Sequence, residues 1–113
     1  MHTRTAALAL HAGTALALAL LLVACSGGPS DEDRKYADAV AAADPEDFGA
    51  IATDDLADTL QGEASDLCEK LSESYEAAVT HATLGFSKRE SAALISAAVL
   101  VRCPEHQDKL PLE

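Results

Sequence analysis

Residues 87–104, Ser-Lys-Arg-Glu-Ser-Ala-Ala-Leu-Ile-Ser-Ala-Ala-Val-Leu-Val-Arg-Cys-Pro, decide the fold. Ser87 followed three residues later by Glu90 is a capping box. The hydroxyl accepts from an orphan N–H of the first turn, and the carboxylate accepts from the cap's own N–H. Behind it come Ala92, Leu94, Ile95, Ala98, Val99, Leu100 and Val101. A helix apolar on nearly every side belongs in an interior. The stretch predicts a central helix that ends at Cys103-Pro104, because the residue before proline is pushed out of helical conformation. Lys88 and Arg89 fall in the first turn, where the helix dipole disfavours cations.

The segments before it predict partners for that helix. Ser30-Asp31-Glu32-Asp33 reads as a capped start with acids at the favourable end of the dipole. The helix it opens runs to about Ala43, with Tyr36, Val40 and Ala43 near one face. Asp44-Pro45 interrupts it, and Phe48 and Ile51 anchor a short turn or helix. Thr53-Asp54-Asp55 opens what the spacing predicts to be the longest helix, to about Leu71. Leu56, Leu60, Ala64, Leu67, Cys68 and Leu71 form its single apolar stripe, with Gly62 off that line. A break at Ser72-Glu73-Ser74 precedes a short helix marked by Tyr75, Ala78, Val79 and Ala82 and closed by Gly85. No alternation of β-branched and polar residues points to a strand. The fold class is all-α: a small disulfide-stapled bundle of four to five short helices over residues 31–106, with a polar tail at 107–113.

The N-terminus reads as an export signal of residues 1–24. Arg4 and the amino terminus give a short positive region. An Ala/Leu-rich run follows, densest from Ala15 to Ala24, and no acid occurs before Asp31. The run stops at Leu22-Val23-Ala24-Cys25, which has the pattern of a lipobox. There the Cys thiolate receives a diacylglycerol, and a peptidase that needs a small preceding residue cuts before it. Cys25 is therefore the expected lipidation site. One acyl chain anchors only marginally, so stable anchoring takes two signals. Two other readings compete: an uncleaved membrane helix, which reaches about 20 residues only by including His11, Gly13 and Thr14, and a plain secretory signal cut at Ala24 or a nearby small residue. Residues 25–30, Cys25 and then Ser-Gly-Gly-Pro-Ser, form a flexible tether. The expected location is the extracytoplasmic face of the cell membrane.

Of three cysteines, acylation of Cys25 leaves Cys68 and Cys103. A remaining pair in an oxidising compartment predicts a disulfide. A redox pair would more often be Cys-x-x-Cys, and a zinc site would need further ligands than His81 and His106, which lack metal-ligand spacing from either Cys. No metal site or cofactor is expected.

The chain has 113 residues and a formal charge of −11, which fits one domain and argues against nucleic acid as a partner. Cleavage removes Arg4 and leaves seven basic against nineteen acidic side chains, so anionic headgroups repel the body and the acyl chains must hold it. The acidic loop Asp44-Pro45-Glu46-Asp47-Phe48-Gly49 fails as a calcium loop, with Phe48 at the fifth position and Pro45 in the turn. Asp54, Asp55 and Asp58 suit a helix start. There is no phosphate loop, no His-Glu-x-x-His and no Gly-x-Ser-x-Gly. A triad of Ser74, His81 and an Asp is nameable only by free choice among many. The chain is not expected to be an enzyme. Two function classes remain: a non-catalytic envelope interaction module that docks on a protein or wall component, and a carrier holding a small apolar ligand between its helices. The Ala/Leu interior favours the first.

The body also resembles a family. Leu60-Gln61-Gly62, then Asp66-Leu67-Cys68-Glu69-Lys70-Leu71, then Ser87 opening an Ala-rich helix that ends Arg102-Cys103-Pro104, is similar to the small secreted actinobacterial family catalogued as domain of unknown function, number 732. The likeness spans residues 34–105. It implies an exported all-helical domain with its two cysteines paired, often behind a signal or lipid anchor, and no known activity. Members commonly place an aromatic before the Cys-Pro and Gly after Cys-x-x-Leu; here Arg102 and Ser72 stand there.

Overall fold

Serine hydroxyls start several of the helices. Ser30 Oγ accepts from the Asp33 N–H at 3.1 Å, and the Asp33 carboxylate accepts from the Ser30 N–H. Ser87 and Glu90 make the same reciprocal pair, and Ser74 Oγ accepts from the Ala77 N–H at 3.0 Å. The computed structural model describes residues 28–112. These residues form α1 (Asp31–Ala43), α2 (Pro45–Phe48), α3 (Thr53–Thr59), α4 (Glu63–Leu71), α5 (Tyr75–Ala82) and α6 (Lys88–Val101), followed by a 3-10 helix, Pro104–Lys109. The fold is all-α, and no strand occurs among the described residues.

α6 is the centre. α1, α4, α5 and the 3-10 helix all pack on it. Ser91, Ala93, Leu94, Ile95, Ala97, Ala98 and Val99 are buried. The small residues let neighbouring backbones approach, and Leu67 and Leu71 of α4 and Val40 of α1 fill the remaining space without exposure. Tyr36 of α1 donates its O–H to the Leu94 carbonyl at 2.9 Å. Burial pushes the phenol's titration upward, so it stays a neutral donor.

α6 is nevertheless not covered on every side. Ala92, Ser96 and Leu100 lie at four-residue steps and are exposed, Leu100 by 73%. The cause is size: a domain this small leaves much of its surface in water, and the elements packed on α6 leave this strip of it open.

The predicted single helix over Thr53–Leu71 is two. α3 ends at Thr59, Leu60 and Gln61 turn, and Gly62 takes φ +85° before α4 begins. The leucine stripe survives the break, with Leu56, Leu60, Leu67 and Leu71 all buried. The bend lets one stripe serve different neighbours: α3 packs on α1, and α4 on α5 and α6. With α2 and the 3-10 helix, this split raises the helix count above the four to five expected. Gly85 does not take the left-handed conformation expected of a helix-closing glycine; α5 ends through Thr83. The segment after Cys103 also turns back: the 3-10 helix packs on α6, and Leu110 is half-buried against the core.

Cys68 and Cys103 meet with Cα atoms 6.0 Å apart and their sulfurs at disulfide distance. The crosslink fastens α4 to the end of α6, beside the Ala98 carbonyl, which lies 3.9 and 3.6 Å from the two sulfurs.

A Cβ added at Gly62 would meet nothing within 4 Å, so substitution there costs only backbone strain. Gly62→Ala should destabilise the domain by about 1 kcal/mol, and Gly62→Asn by less, since Asn tolerates left-handed φ. Gly85 has equally open space without positive φ. Gly85→Ala should therefore be neutral or stabilise by about 0.4–1 kcal/mol. Urea unfolding of the three variants checks the ranking; equal costs at both glycines would contradict it.

Candidate functional site

The structure offers three places where surface chemistry is organised, and Cys25 lies outside the described residues. The first is the junction of α1, α2 and the start of α6. Asp44 is the N-cap of α2, and its Oδ1 accepts from the Asp47 N–H at 3.3 Å. It is 2% exposed and pairs with Arg89 Nη2 at 3.3 Å; Arg89 Nη1 reaches Glu46 at 2.8 Å. Asp44 and then Glu46 hold the guanidinium charged more firmly than usual. A hydrogen bond shared with the Asp44 carboxyl pushes Asp47 above the ordinary carboxylate range. Asp44 Oδ2 and Ser91 Oγ are buried without a partner among the described residues. The cation in the dipole-disfavoured turn of α6 is thus explained: Arg89 neutralises a buried carboxylate from another helix. The same pairing occupies the acidic loop that resembles a calcium site. Among the described residues, no group of three or more His, Cys, Asp or Glu is placed to hold a metal ion.

The second place is the start of α4. Glu63 is half-buried, with its Oε2 4.0 Å from His81 Nε2. Burial raises the Glu63 pKa; His81 opposes the rise and Asp66 adds to it. Nearby, Glu32, Tyr36, Gly62 and Val101 line a cleft of about 20 Å³. That is room for roughly one water. Arg102 pairs with Glu32. His81 is half-buried beside Glu63. Ser74 Oγ caps α5, where it accepts the Ala77 N–H. Asp54 pairs with Arg34 at 2.8 Å, so its helix-start position also clasps α3 to α1.

The third place is an apolar groove of about 260 Å³ between α6 and the 3-10 helix, lined by Ser96, Val99, Leu100, Pro104, Gln107 and Leu110. Sequence reasoning missed both this groove and the Asp44–Arg89 pair. The misplaced charge of Arg89 was a usable signal for the pair. The groove had none, because it depends on the return of the 3-10 helix.

Cys68 and Cys103 are brought together as the sequence predicted. No family model matches the chain, and no similar curated protein or solved structure was found. None of the helices described is long and apolar enough to cross a membrane.

The raised Glu63 pKa has a definite sign. In the window just above the ordinary carboxylate value, the folded state holds its proton while the unfolded state has released it. Stability therefore falls as pH rises through that window. Glu63→Gln should raise the melting temperature by a few degrees at pH ~7, with the gain vanishing by pH ~3, below the ordinary carboxylate value, where both states are protonated. Thermal melts at the two pH values check this. A variant less stable than the parent at neutral pH would show that the His81 contact outweighs burial.

Proposed function

We propose that the chain is a lipid-anchored cell-envelope protein whose helical domain is a non-catalytic interaction module for a protein partner on the extracytoplasmic side. The observation that carries this reading is Leu22-Val23-Ala24-Cys25 at the end of an apolar run, followed by a Gly/Ser/Pro tether. The disulfide-stapled body supports it, since such crosslinks belong to oxidising compartments. The pattern of Gly, Cys-x-x-Leu and a closing Cys-Pro agrees with the resemblance to an exported domain family without known activity.

The use of the polar groups points the same way. Asp44, Arg89, Arg34, Asp54, Glu32 and Arg102 pair with one another across helices. The serines at helix starts are bound to backbone. Reactive side chains are spent on holding the fold, and recognition falls to the surface. The interior of small aliphatic residues favours packing over the alternative of a ligand carrier.

Expression in a lipoprotein-processing bacterium with a fatty-acid label tests the reading. The parent chain should be labelled and sediment with membranes, and Cys25→Ser should lose the label and most of the membrane-bound pool. Equal labelling of both would overturn the anchor. Crosslinking from the intact acylated protein would then identify the partner.

A further inference from the structure

We draw no further inference here: the strongest candidate, the apolar groove between α6 and the 3-10 helix lined by Val99, Leu100, Pro104 and Leu110, carries none, because nothing in the structure shows what covers it and large apolar side chains are equally open elsewhere, at Ile51 and Leu84.

Discussion

The Cys68–Cys103 crosslink stands at the one point where the chain most needs a fixed distance. α6 supplies much of the core, yet its last turn is left open along Leu100 and runs into a proline. Without a tie, that end would fray, and with it the seat of the 3-10 helix and the first turn of α1. The disulfide joins it to α4, whose Leu67 and Leu71 are fully buried in the same core. A crosslink over this sequence separation, 35 residues, contributes about 4 kcal/mol in the chain-entropy model. Small domains have marginal stability of similar size. The helices pack in the arrangement that the crosslink makes durable.

Around that tie several charges pair between segments that are distant in sequence. Arg34 clasps α3 to α1, Arg89 neutralises the buried Asp44, and Arg102 meets Glu32. Five basic residues among the sixteen acids of residues 31–99 are scarce, and two of them are spent in these clasps. The excess negative charge stays on the outside. In the proposed reading, a domain with that surface needs a covalent lipid to remain at a membrane, which connects the acidic composition to the proposed anchor at Cys25.

The legible parts of the fold were those written in local pattern. The Ser87–Glu90 box and the apolar run behind it placed α6, and Ser30 placed α1 at Asp31–Ala43. Parity of cysteines named the crosslink. The break at Gly62 was hidden because Leu56, Leu60, Leu67 and Leu71 keep helical spacing on both sides of it, so periodicity continues where the backbone does not. The open strip Ala92–Ser96–Leu100 was hidden for a different reason: apolar content says that a helix can be buried, and only the number of neighbours says how completely. The groove and the Asp44–Arg89 pair depend on elements far apart in the chain, which no local rule brings together.

The claim that the crosslink underwrites the whole bundle is tested by urea unfolding of one and the same chain, oxidised and then fully reduced, with no side chain replaced. The oxidised domain should be more stable by about 4 kcal/mol, and the reduced one should be partly unfolded at 37 °C. A reduced domain whose unfolding free energy lies within about 1 kcal/mol of the oxidised value would contradict the account and leave the packing of α6 as sufficient by itself.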